Sequence, residues 1–205
     1  MNRITLTCMA CIAMMITSCN ESTGNTNTKT ITRIDSINNR LTNYLTLSRQ
    51  FIKQQHYESN FCFLVDMHRP SGDNRFLIYN LAKDYIESVA KVAHGRCNEE
   101  WLEGRKYSNK PGSGCSSLGK YRVGIKYKGM YGVAFKLHGL DSANSNAYKR
   151  NIVLHAHKCV PGENDPSPEI CQSDGCVMVS PSFLQILEDK LKSASRPVLL
   201  WVYDE

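Results

Sequence analysis

A cysteine sits on a tight glycine turn, Ser173-Asp174-Gly175-Cys176, 21 residues after a histidine that ends an apolar run, Ile152-Val153-Leu154-His155. A thiol becomes a nucleophile when a base takes its proton and donors hold the oxyanion it creates. His155 is the candidate base. The backbone N–H groups of Gly175 and Cys176 are the candidate donors, and glycine lets the backbone approach a substrate closely. The competing reading makes Cys176 a small buried hydrophobe, the commonest fate of a free cysteine, and His155 a core histidine satisfied by the backbone. A third reading groups His155, His157 and Cys159 as zinc ligands. Alternate-residue spacing puts the two histidines on one strand face, yet neither C-x-x-C nor H-E-x-x-H accompanies them, so no metal is assigned.

Other groups stand near these strands. His138-Gly139 ends a further apolar run and either lines the same pocket or caps a turn. Lys136, Lys149 and Arg150 are either solvated charge or a clamp for a substrate carboxylate, where arginine's planar fork excels. His94-Gly95 repeats the strand-end pattern and reads as a turn. His56 and His68 carry no signal.

The elements that must position these groups are mostly strands. Phe61–Met67, Arg75–Leu81, Tyr85–Val92, Tyr121–Tyr127, Gly132–Leu137 and Asn151–His155 are apolar or alternating, with turn residues at Pro70-Ser71-Gly72, Lys83-Asp84 and Lys128-Gly129. Val177-Met178-Val179 follows the cysteine and reads as buried. A helix opens at Ser180-Pro181, since proline suits a first helical turn, and Val198–Val202 closes the chain as a strand. Before all of these, Ile37, Leu41, Tyr44, Leu45, Phe51 and Ile52 have helical spacing, with Asp35 as N-cap. Many short strands and few helices predict a β-rich sandwich or barrel.

At 205 residues the chain is of single-domain size, 41% hydrophobic and 21% charged. Its 25 Lys+Arg against 19 Asp+Glu give a net charge of +6, with no basic run of the kind that binds nucleic acid. The N-terminus is more specific. Asn2-Arg3 precedes an apolar stretch, Ile4 to Ile16, too short to span a membrane comfortably. It reads as a secretory signal over residues 1–18. Ile16-Thr17-Ser18-Cys19 resembles the bacterial lipobox, which implies lipidation at Cys19. Residues 19–34 are the lipidated cysteine and a polar tether that buries too little to fold, of roughly 50 Å if extended. The domain proper is 35–205. This implies an exported bacterial lipoprotein on the periplasmic side, anchored in the outer membrane. An oxidising compartment permits disulfides. Cys159 and Cys171 flank one loop, Cys97 and Cys115 bracket another, and Cys62 reads as a buried free thiol, although sequence does not give connectivity. A Cys171–Cys176 bridge would remove the nucleophile.

From about residue 61 to 203 the motifs resemble the murein L,D-transpeptidase catalytic domain of the YkuD type. They are Arg75-Phe76-Leu77-Ile78-Tyr79-Asn80-Leu81, Val92-Ala93-His94-Gly95, Ser108-Asn109-Lys110-Pro111-Gly112-Ser113, Ser116-Ser117-Leu118-Gly119, His138-Gly139-Leu140, Asn144 to His155, and Ser173-Asp174-Gly175-Cys176. The resemblance implies a mostly β sandwich with an N-terminal helix and a helix after the catalytic turn. It implies Cys176 as nucleophile, His155 as general base, and the Gly175 and Cys176 amides as oxyanion hole. His138, Arg150, Ser173 and Asp174 are the expected substrate-binding residues. The implied substrate is the peptidoglycan stem tetrapeptide, cleaved between its diamino acid and D-Ala through a cysteine thioester that passes to an amine of a neighbouring stem. Water as acceptor would make an L,D-carboxypeptidase, and loss of the chemistry a peptidoglycan-binding lipoprotein. No cofactor is implied. The broad family reads S-H-G-C-x-R, where this chain has Asp174 for the histidine and Met178 for the arginine, and Ala156 follows His155 in place of the usual glycine. Asp174 beside the thiol would oppose thiolate formation if near and unshielded.

Overall fold

The structure is a computed structural model that describes residues 25–167 and 169–205, with side chains from Asn39 onward. The expected signal, the lipobox and Cys19 lie outside the described residues. The backbone divides into two compact units. The first ends at Asn39, and its described part is helical backbone from Asn25; the second is Arg40–Glu205.

Helix α1 is Asn25–Gln55. It begins ten residues before the expected Asp35 and so runs into the stretch assigned to the tether. No proline or glycine interrupts 25–55, and adding a residue to an existing helix is far easier than nucleating one. The strands are β1 Phe61–Asp66, β2 Phe76–Asn80, β3 Tyr85–Ala90, β4 Gly119–Gly129, β5 Gly132–Gly139, β6 Val153–Ala156, β7 Val177–Val179 and β8 Val198–Tyr203, with α2, Pro181–Ser193, between the last two. They form one sheet in the order β3-β2-β1-β8-β4-β5-β6-β7. Only β1–β8 and β6–β7 pair in parallel. The sheet curls over, and Ala93, just past β3, bridges Met178 of β7, its N–H donating to the Met178 carbonyl at 2.9 Å. That closure makes the sandwich.

Alternation along the strands sorts residues to two faces. Phe63, Phe76, Ile78, Tyr121, Leu137, Leu154, Val177 and Leu200 share the inner core with Phe183, Leu184 and Leu187 of α2. Burying one such large apolar side chain contributes about 1.5–3 kcal/mol. Ser180 caps α2, its Oγ accepting the Phe183 N–H at 3.3 Å, and Pro181 follows. On the other face, Cys62, Leu64, Leu77, Tyr79 and Leu199 of β1, β2 and β8 pack with Ile52, Tyr44, Leu45 and Phe51 from the C-terminal part of α1. That cover stops short of β5–β7, whose outer face carries the site. The β4–β5 turn is Met130-Tyr131, two residues later than Lys128-Gly129, because Gly129 still pairs with Gly132, which takes φ +92°.

Candidate active site at the β6–β7 end of the sheet

Leu154 pairs with Val177 and His155 with Met178, so Cys176 enters β7 beside Val153. Leu154 and Val177 turn into the core. The residues of opposite parity, Val153, His155 and Cys176, turn outward and line one groove of about 300 Å³ with Ala134, Asn151 and the β4–β5 hairpin tip. The sequence-predicted thiol and imidazole thus share one groove.

The turn that presents Cys176 is fixed by its own hydrogen bonds. Ser173 Oγ accepts the Gly175 N–H at 3.2 Å and donates to the Cys176 carbonyl at 2.8 Å. Gly175 has φ +104°, and a Cβ there would stand 2.5 Å from the Cys115 carbonyl oxygen. Both conditions require glycine. Ser173, expected among the substrate-binding residues, is buried and its hydroxyl holds the turn. The Gly175 N–H, expected in the oxyanion hole, is engaged within the turn.

His155 is only 6% exposed, and its Nδ1 lies 3.1 Å from the Ala156 carbonyl. A carbonyl only accepts, so Nδ1 carries the hydrogen and Nε2 keeps a lone pair, the tautomer of a base. Burial lowers its pKa, and His157 lowers it further. The ring stacks on Tyr131 at 5.3 Å, and Tyr131 meets His157 edge-on. The Cys176 thiol donates to the Asn151 carbonyl at 3.7 Å. Burial raises its pKa above the usual 9.0; the Val153 N–H opposes this, Asp174 adds to it, and Arg150 and Lys136 oppose it. Both shifts favour a neutral thiol and a neutral imidazole in the free site.

The remaining predicted residues lie around this pair. Asp174 turns outward to Arg96, at 2.8 Å, in an exposed ion pair that offsets its charge. Arg150 differs from the expected carboxylate clamp. Its Nη1 donates at 2.6 Å to the Ser108 carbonyl and Ser117 Oγ, and its Nη2 donates to Ser113 Oγ and the Cys115 carbonyl. All four terminal N–H bonds hold the 108–117 loop, whose Cys115 carbonyl faces Gly175. His138 stacks on Tyr148 at 4.8 Å and lies outside the groove lining, although its strand parity puts it on the same face. Lys136, between them on β5, donates to Asn151 Oδ1 at 3.4 Å and lies 4.7 Å from the Tyr127 ring.

Sequence reasoning missed Tyr131, Met130 and Asn151. Two exposed hydrophobics at a hairpin tip were the available signal; Asn151, at φ +56°, gave none. Cys97–Cys115 and Cys159–Cys171 are disulfides, leaving Cys62 and Cys176 as the free thiols among the described residues. The second bridge removes the thiolate from the His155, His157, Cys159 metal alternative. No group of three metal-ligating side chains occurs among the described residues.

No curated protein sequence matches the chain. Among solved structures it is similar to the L,D-transpeptidase from Xylanimonas cellulosilytica, at 14% identity and TM-score 0.40, covering 71% of this chain and 61% of that one. It is also similar to the helical cell shape determining protein Pgp2 from Campylobacter jejuni, at 17% identity and TM-score 0.44, covering 73% of this chain and 50% of that one. The chain therefore spans less than two thirds of either. A sequence profile of the L,D-transpeptidase catalytic domain matches residues 31–203, and the chain belongs to that family.

Proposed function

We propose that this protein is a cysteine L,D-transpeptidase acting on peptidoglycan stem tetrapeptides. The observation that carries the reading is that the Cys176 thiol and the His155 imidazole, the latter in the tautomer of a base, line one groove. His155 Nε2 takes the thiol proton as sulfur attacks the carbonyl of the third, diamino-acid residue. The tetrahedral oxyanion is held by the Cys176 N–H, since the Gly175 N–H is engaged by Ser173. Collapse breaks the bond to D-Ala, and the proton on His155 goes to the leaving amine. An amine of a second stem then attacks the thioester, gives its proton back through His155, and restores the thiol.

Two disulfides fit an oxidising compartment. With the N-terminal apolar stretch and its lipobox-like end, they support export and a lipid on Cys19 as a further part of the proposal. Mass spectrometry of the mature N-terminus tests that part; an unmodified Cys19 would overturn it. The enzymatic reading is tested with purified protein and tetrapeptide muropeptides. Wild type should release D-Ala and form a dimer linked between diamino acids, and Cys176→Ala should do neither. Release without dimer would assign hydrolysis instead. Unchanged turnover in Cys176→Ala would remove the thiol from the mechanism.

A further inference from the structure

Behind the catalytic turn lies a second cavity, of about 180 Å³, that the mechanism does not use. Its floor is the wholly buried Arg75, which donates to the Val92 and Arg69 carbonyls and, at 3.1 Å, to His94 Nδ1. A guanidinium only donates, so Nδ1 accepts and the His94 hydrogen sits on Nε2. That Nε2–H is buried with no full hydrogen-bond partner among the described residues, the Gly104 backbone being the polar group that attracts it and raises the ring's pKa. A buried donor with no acceptor calls for an explanation.

The lining supplies more donors than acceptors. Arg105 Nη1 donates to the Met67 and Arg69 carbonyls, leaving Nη2 of its fork uncommitted among the described residues. Ser71 Oγ accepts from the Ile170 N–H at 3.3 Å and keeps its own hydrogen. The Gln172 amide is spent at both ends on Leu102. Glu169 is the single carboxylate on the lining among the described residues, and the half-exposed Trp101 ring supplies an apolar wall.

We propose that this cavity binds a small carboxylate, held by the His94 Nε2–H, Arg105 and Ser71, with Trp101 against its apolar body. An α-carboxylate has that chemistry, whether from a free amino acid or a peptide terminus. The site is coupled to the catalytic segment through backbone. The His94 carbonyl accepts the Ser173 N–H at 2.8 Å, and the Arg96 N–H donates to the Ser173 carbonyl at 2.8 Å. The proposal does not depend on the Cys176 chemistry.

The test follows the Trp101 indole and His94 ring resonances by NMR while the full protein is titrated with N-acetyl-D-alanine, its amide, and D-alanine. Saturable shifts are expected with N-acetyl-D-alanine and not with the amide, and equally in Cys176→Ala. Arg105→Gln should weaken binding by at least about tenfold, since a charge-assisted contact is lost. Glu169→Gln should tighten it. The absence of saturable shifts, an equal response to the amide, or unchanged affinity in Glu169→Gln would overturn the proposal. The last result decides even if Arg105→Gln fails to fold. Tighter binding of D-alanine than of N-acetyl-D-alanine would identify a free amino acid as the source; the reverse order, a peptide terminus. Either order upholds a carboxylate site.

Discussion

His155 and His94 make an instructive pair. Each follows a short apolar run, each is 6% exposed, and burial lowers the pKa of each. What differs is the partner of Nδ1. At His155 it is a carbonyl, which fixes the hydrogen on Nδ1 and leaves Nε2 as a lone pair in the groove with Cys176. At His94 it is an arginine, which can only donate, so Nε2 carries the hydrogen and the ring has a donor to offer. One hydrogen-bond partner turns the same side chain into a base in one place and a donor in the other.

The largest effect should separate the two functionally. His155→Ala should lower turnover by about 10²–10⁴-fold, the range for loss of a general base, measured as D-Ala release; a loss of less than tenfold would deny it that role. Gly175→Ala should come next. A Cβ 2.5 Å from the Cys115 carbonyl must move the turn, and a displacement of about 1 Å can cost on the order of 10²-fold. Near-native kinetics would show that the turn tolerates the change.

The acid side of the stability curve probes His94. Its pKa is pushed down to about 4, first by burial and then by Arg75. The unfolded chain takes up the proton near pH 6.5, while the folded chain refuses it until about 4. Stability should therefore fall as pH drops through that window, by on the order of 3 kcal/mol at 1.36 kcal/mol per pH unit. His155, also depressed, adds a slope of the same sign starting near 6.5. Chemical denaturation of His94→Gln between pH 7 and 4 should show a markedly shallower decline than wild type; parallel curves would contradict the assignment. The smallest effect belongs to Asp174→Asn. Removing a carboxylate that raises the Cys176 pKa should speed thiol alkylation at fixed pH by a few-fold at most, because Asp174 is exposed and paired with Arg96.

Much of this was legible in the chain. Alternation placed the strands, Ser180-Pro181 placed α2, and the order of motifs brought Cys176 and His155 to one site. Parity along β5 would have put Lys136 on the site face. Hydrogen-bond partners were not legible, because they join segments far apart in sequence. Arg150 became a loop clamp through Ser108, Ser113, Cys115 and Ser117. Asp174 found Arg96, 78 residues away. His94-Gly95, expected as a turn, instead pairs with Ser173, where a Cβ on Gly95 would collide with the Gly114 carbonyl.

The central claim is that Cys176 is a nucleophile held as a neutral thiol until His155 takes its proton. The most direct measurement is the pH dependence of its alkylation by iodoacetamide, followed by peptide mapping; buried Cys62, with its thiol pushed up to about 12, stays silent. The account predicts an alkylation midpoint above 9.0 in the free protein, together with a thioester adduct on the Cys176 peptide when tetrapeptide is added at neutral pH. A fast plateau extending below pH 6, the signature of a preformed thiolate–imidazolium pair, or an adduct on any other residue would contradict it.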